Sequence, residues 1–132
     1  MYAWETRGAQ DHRLPDVLRE FTGERRISAE SREYLETLIG TVDMYLEDID
    51  RALADALLNW RLDRLATIDR CILRLAGAEM LYLEIPPRVA IREAVQLAGK
   101  YGTHDSPRFV NGVLDAIMRR AADERSTSGE RR

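Results

Sequence analysis

From Ser28 onward, apolar side chains recur at Leu35, Leu38, Val42, Leu46, Ile49, Leu53, Leu57 and Trp60, in steps that alternate between three and four. Glu36, Asp43, Glu47, Asp48, Asp50 and Asp55 fall between them. That spacing predicts one long amphipathic helix with a single apolar stripe. Alternating threes and fours also suit a coiled coil, but the run is short of further heptads, and Gly40 inside it costs about 1 kcal/mol relative to Ala. Packing within a bundle is the better reading.

A polar break at Arg61 to Leu65 ends this run. Thr67 can then cap a second helix through Ile68, Ile72, Leu75, Ala76, Met80 and Leu83. Pro86-Pro87 stops it, because a residue before proline is pushed out of the helical region. A third helix is predicted from Pro87 to Tyr101, with Val89, Ala94, Val95 and Ala98 inward and Gly102 as a left-handed stop. Ser106 and Pro107 then read as the cap and first residue of a last helix. Phe109, Val113 and Ile117 form one of its stripes, and Val110, Leu114 and Met118 the next, together a wide buried face.

The remaining segments are weaker. Met1 to Glu5 looks like the end of a helix stopped by Gly8, and Pro15 to Phe21 like a short surface helix or loop ended by Gly23. Residues 123–132 are small, polar and charged, and are expected to be a disordered tail following one domain over residues 1–122. No stretch alternates with period two for long enough to make a strand. The expected fold is all-α, a compact single-domain helical bundle.

At 132 residues the chain can hold one ordinary domain with a real core. No run approaches the roughly 18 apolar residues of a membrane span, and Trp4-Glu5-Thr6-Arg7 breaks any leader-like stretch at once. A cytoplasmic location is expected. Cys71 is the only cysteine, which rules out an intrachain disulfide and a cysteine-based zinc cluster.

Charge is uneven along the chain. Residues 1–60 carry 7 basic and 13 acidic side chains, whereas residues 61–132 carry 13 basic and 10 acidic, within a net charge of −3. A polyanion would prefer the second half. An excess this small predicts weak nucleic-acid binding unless a partner helps, since affinity rests largely on neutralised phosphates. All basic residues but Lys100 are arginine, which reads chiefly as coding bias, since solvated faces accept either residue, although arginine is also the better reader of phosphates and bases.

Catalytic patterns are missing. His12 and His104 have no partner at metal-ligand spacing, and the chain has neither a Gly-rich phosphate loop nor a Gly-x-Ser-x-Gly turn. No enzyme activity, cofactor or metal is expected.

The order of several motifs is distinctive: Ile68-Asp69-Arg70-Cys71-Ile72-Leu73-Arg74-Leu75-Ala76, Glu79-Met80-Leu81, Ile85-Pro86, Glu93-Ala94-Val95-Gln96-Leu97-Ala98, Tyr101-Gly102, and Asp105-Ser106 with Phe109-Val110-Asn111-Gly112-Val113-Leu114-Asp115. In this order they resemble the NusB-type transcription antitermination factors of bacteria, most strongly from Leu65 to Met118. The resemblance implies an all-helical RNA-binding domain without catalysis. It implies binding of the boxA element of ribosomal RNA leaders together with the ribosomal protein NusE, and through other Nus factors an action on RNA polymerase.

Matched residue by residue, the resemblance assigns RNA contacts to Tyr2, Asp105, Ser106 and Phe109, and a partner contact to Glu79; Arg108 joins the RNA candidates on physical grounds alone. Physically, a helix start offers N–H groups to phosphate, Arg108 adds a cation, and an aromatic ring can stack a base. Bland readings stand beside these. Phe109 is either core or platform, Asp105 suits the positive end of a helix dipole, and Glu79 can be a solvated or capping carboxylate. Asn111 and Gly112 are expected to be structural, Gly112 allowing a close helix approach and Asn111 satisfying a buried backbone group.

The match begins inside the family's first helix, so the arginine-rich arm and roughly 15 to 20 residues are missing by comparison. The expectation is a reading frame started late, which an in-frame stop codon just upstream would oppose. Arg92 stands where the family usually has Asn, Ala78 where an aromatic is common, and Pro107 where His is common. Two other readings remain: a helical protein–protein module that has lost RNA binding, and the RNA-recognition domain of a ribosomal RNA methyltransferase.

Overall fold

A computed structural model describes residues 14–21, 29–57 and 61–130. Its helices are α1 (Leu14–Phe21), α2 (Ala29–Met44), α3 (Leu46–Ala56), α4 (Thr67–Tyr82), α5 (Pro87–Tyr101) and α6 (Ser106–Glu130), with a 3₁₀ turn at Leu62–Arg64 before α4. No strand occurs among the described residues, and the fold is all-α. Tyr2, the helix end at Met1 to Glu5, Gly23 and Trp60 lie outside them.

The bundle is built around α4. Every residue from Cys71 to Glu79 is buried, and α1, α2, α3, α5 and α6 all pack against this helix. A helix enclosed on every side carries apolar side chains, or polar ones that find a buried partner, as Arg74 and Glu79 do. The sequence pattern marks only one of its faces, because Leu73, Gly77 and Ala78 fall outside the stripe yet are buried too. Thr67 is its first residue rather than its cap, and no side chain caps this end.

The predicted long helix is divided at Tyr45, whose φ of −112° and ψ of 24° leave the helical region. Two threonines on the preceding turns account for a bend. Thr37 Oγ1 donates to the Glu33 carbonyl (3.1 Å) and Thr41 Oγ1 to the Thr37 carbonyl (2.8 Å), competing with the backbone ladder. The apolar stripe survives the break: Leu38, Ile39 and Val42 are buried before it, Ile49, Leu53 and Leu57 after it.

Arginines of neighbouring helices fasten α3 at its middle and near its C-terminal end. The Arg74 guanidinium meets the Asp50 carboxylate with two bonds of 2.9 Å, and Arg120 of α6 donates to the Asp55 carbonyl at 3.0 Å.

Helix α1 corrects the expectation of a surface segment, since Val17 and Leu18 are buried and the helix packs on α4 and α5. A single turn of two adjacent apolar side chains suffices to seat so short a helix. On α5 the inward stripe is Ala90, Ile91, Ala94, Leu97 and Ala98, rotated from the predicted one, with Val89 and Val95 only half-buried. The helical backbone of α6 continues past Asp123 to Glu130, as Ala121, Ala122 and Glu124 favour and no proline prevents.

Candidate functional site

Gly102 determines how α5 hands over to α6. Its φ is −93°, so the chain does not need glycine here for a left-handed turn, contrary to the sequence reading. Space is the reason. A Cβ at this position would lie 2.5 Å from Ser106 Oγ and 2.7 Å from the Ala98 carbonyl.

Ser106 fits into that space and turns inward. Its Oγ accepts the Thr103 N–H at 2.9 Å and lies 3.2 Å from Thr103 Oγ1. It also donates to Asp69 Oδ2 at 3.2 Å. Ser106 is therefore not the cap of α6: its hydroxyl anchors the 102–105 loop to α4. Asp105 occupies the cap position, its carbonyl accepting the Phe109 N–H at 3.1 Å.

The starts of α4 and α6, with the 3₁₀ turn, line an open pocket of about 580 Å³. Asp105, Ser106, Arg108 and Phe109 form one wall, and Arg64, Leu65, Ala66 and Asp69 the other, with Thr103 between them. Four of the five residues assigned to RNA contact thus share one concavity. The fifth, Tyr2, lies outside the described residues. Ser106 is 2% exposed and shapes the wall from behind rather than presenting its hydroxyl.

Phe109 resolves into both of its readings. It packs against the core cluster, yet remains half-buried and keeps part of its ring on the pocket. Arg64 and Arg108 are exposed cations on opposite walls, and Asp105 is an exposed carboxylate. Few helix donors remain for an anion: the Ser106 N–H is bound to the Thr103 carbonyl, Pro107 has no N–H, and the Phe109 N–H is used within the helix. The positive charge of the pocket therefore comes from the two guanidiniums rather than from the helix start. Arg64, Leu65, Ala66, Asp69 and Thr103 are the pocket residues that sequence reasoning missed. Only Asp69 lay within a motif.

Glu79 is 3% exposed, which excludes the reading as a solvated carboxylate. Its Oε2 accepts a hydrogen bond from the Tyr34 hydroxyl of α2, while Oε1 has no hydrogen-bond partner among the described residues. Burial pushes its pKa up to about 7, the Tyr34 bond works against that shift, and the nearby Glu93 carboxylate adds to it. The Tyr34 hydroxyl is pushed far above its ordinary value by burial and by the same carboxylate. Any partner contact by Glu79 has to pass through its neighbours.

Asn111 and Gly112 are both exposed, and no atom lies within 4 Å of a Cβ placed on Gly112. The expected helix contact and buried amide are absent, because this face of α6 looks outward. Asn111 instead lines a second concavity, between α5 and α6. Among the described residues no cluster of three or more His, Cys, Asp or Glu could hold a metal ion, and no helix is long and apolar enough to cross a membrane.

These features define an all-helical domain with a solvent-open pocket at the meeting of two helix starts. Comparison with known proteins gives the family. The model of the NusB family matches residues 1–119, and the chain belongs to that family. It is 50% identical over 91 residues to the transcription antitermination protein NusB of Acaryochloris marina, covering 69% of this chain and 44% of that protein. It is 43% identical over 121 residues to the NusB of Thermoanaerobacter sp., covering 89% and 83%. The chain thus spans less than half of the cyanobacterial relative and most of the Thermoanaerobacter one. Among solved structures, T. maritima NusB superposes with a TM-score of 0.66 at 40% identity, covering 68% of this chain and 64% of that one.

Proposed function

We propose that this protein is an RNA-binding transcription antitermination factor that recognises the boxA element of ribosomal RNA leader transcripts together with the ribosomal protein NusE. Other Nus factors and RNA polymerase are its indirect partners. The supporting observation is the pocket at the start of α6, which a half-buried Phe109 shares with the exposed Arg64 and Arg108. An aromatic face flanked by cations suits an unstacked base and its adjoining phosphates. The sparse positive charge supports dependence on a protein partner.

The test is titration of a fluorescent boxA oligonucleotide with the protein, with and without NusE, across a range of salt concentrations. Binding strengthened by NusE and weakened by salt supports the reading. No binding even with NusE removes it.

A second reading has its own observation. Met44 is 74% exposed, and Tyr45, 37% exposed, stacks on Tyr82 with ring centroids 4.1 Å apart. This apolar patch lies one turn along α4 from Glu79. Such a patch suits protein docking, and a module that keeps it while lacking RNA affinity would bind NusE alone in the same titration.

A further inference from the structure

Gly112 lies in the interior of α6, exposed, with open space where a side chain would be. A glycine there weakens the helix relative to alanine, and neither close packing nor backbone conformation requires it. On the helix it falls between two concavities. The mouth pocket lies on the Phe109 flank, and a groove of about 330 Å³ between α5 and α6 lies on the Asn111 flank.

The groove is lined by Arg88, Arg92 and Gln96 from α5 and by Asn111 and Asp115 from α6, over an apolar floor of Ile91 and Val95. Arg88 and Arg92 are exposed, one turn apart, and pair with no described residue. Asp115 does not oppose them strongly, because Arg119 holds its carboxylate at 2.9 Å. Two guanidiniums that pair with none of the described residues, with an adjacent pair of amides, form a surface complementary to phosphates and base edges.

We propose that bound RNA does not end at the mouth pocket: the single strand crosses α6 over the bare backbone at Gly112 and continues in the α5–α6 groove, where Arg88 and Arg92 hold its phosphates. The inference rests on the reading of the mouth as an RNA site and extends it. Crossing a helix some 10–12 Å across is short for a nucleic-acid strand. With a long side chain at position 112, the ridge would rise between the two concavities. The glycine gives up helix stability and keeps the crossing low.

The experiment compares single-stranded boxA RNAs of about six and about twelve nucleotides, within the site sizes usual for such proteins, on the whole protein with NusE present. In the wild type the longer RNA binds more tightly. In the double variant Arg88→Gln/Arg92→Gln, affinity for the longer RNA falls about tenfold, while the shorter RNA is unaffected. The salt dependence for the longer RNA becomes shallower by about 1.4 in slope, at about 0.7 for each single-strand phosphate contact. Gly112→Leu also weakens the longer RNA while raising the melting temperature, opposite signs that a structural role cannot produce.

Equal affinity of the wild type for both lengths, or an unchanged slope in the double variant, overturns the extension and leaves the mouth reading intact. Loss of NusE binding with RNA affinity unchanged reassigns the groove to protein docking and overturns it too. Failure of the wild type to bind either RNA removes the mouth reading and the extension together.

Discussion

Ser106 at the start of α6 and Asp69 in the first turn of α4 are joined by a buried hydrogen bond of 3.2 Å, across 37 positions of sequence. The two residues stand behind opposite walls of the mouth pocket, so this bond sets how the walls meet. Ser106→Ala leaves the Thr103 N–H and the Asp69 carboxylate without that hydroxyl. The expected loss is about 1–3 kcal/mol, larger than for an exposed serine, measured by urea unfolding.

Gly102 and Gly40 separate two kinds of glycine. At Gly102 an added methyl would press on Ser106 and on the Ala98 carbonyl, whereas Gly40 has nothing within 4 Å. Gly102→Ala is expected to destabilise by about 1–3 kcal/mol, the usual range for overpacking. Gly40→Ala is expected to stabilise by up to about 1 kcal/mol. Thermal unfolding of the two variants should shift in opposite directions.

Glu79 makes stability depend on pH in an unusual sense. Its carboxyl is raised from 4.5 to about 7 by burial, so between those values the folded chain keeps a proton that the unfolded chain has released. Stability from this residue is fully present at acid pH and is lost as pH rises through about 7. The loss is about 3 kcal/mol once ionisation is complete. Glu79→Gln should remove it, so that the variant exceeds the wild type at pH 8 and matches it near pH 5. Urea midpoints of both proteins at the two pH values check this, other carboxylates cancelling in the difference.

The Arg74–Asp50 pair is asymmetric in burial, with side chains 8% and 27% exposed. Removing Asp50 takes two hydrogen bonds of 2.9 Å from a guanidinium buried in the core. Removing Arg74 leaves a carboxylate that water can still reach. Asp50→Ala should therefore cost about 3–5 kcal/mol, and Arg74→Met distinctly less, because an apolar chain replaces the buried charge. Chemical denaturation of both variants at neutral pH orders them.

Phe109 carries weight in both folding and binding. Phe109→Ala is expected to weaken boxA RNA binding by about 1–3 kcal/mol, the usual worth of one stacked base. It should also destabilise the domain by less than the 3–5 kcal/mol of a fully buried phenylalanine. Phe109→Trp keeps a stacking face and should retain binding. Paired titration and melting experiments distinguish the two effects.

Periodicity made the helices legible, because a stripe at steps of three and four has one structural meaning. It could not show that α4 is central, since Leu73 and Ala78 interrupt no pattern and are buried only because five helices surround them. It could not show the break at Tyr45 either: the stripe runs straight through it, and the local cause lies in threonine side chains on the outer face.

The site followed the same division. Asp105, Arg108 and Phe109 were legible from the order of residues at a helix start. Arg64 and Asp69 reach the pocket from about forty positions away, and only the packing of α4 against α6 brings them there. The inward turn of Ser106 depends on the absence of a Cβ at Gly102, a relationship of volumes that no spacing records.

The departure at Tyr45 leaves the hydrogen-bond ladder running: the Tyr45 N–H reaches the Thr41 carbonyl at 3.0 Å and the Tyr45 carbonyl accepts the Ile49 N–H at 2.9 Å. Its consequence lies on the outside of the bundle. The Tyr45 ring stacks nearly flat on Tyr82 at the end of α4, interplanar angle 7°, so the junction of α2 and α3 is pinned to the central helix by an aromatic clasp as well as by the buried stripe.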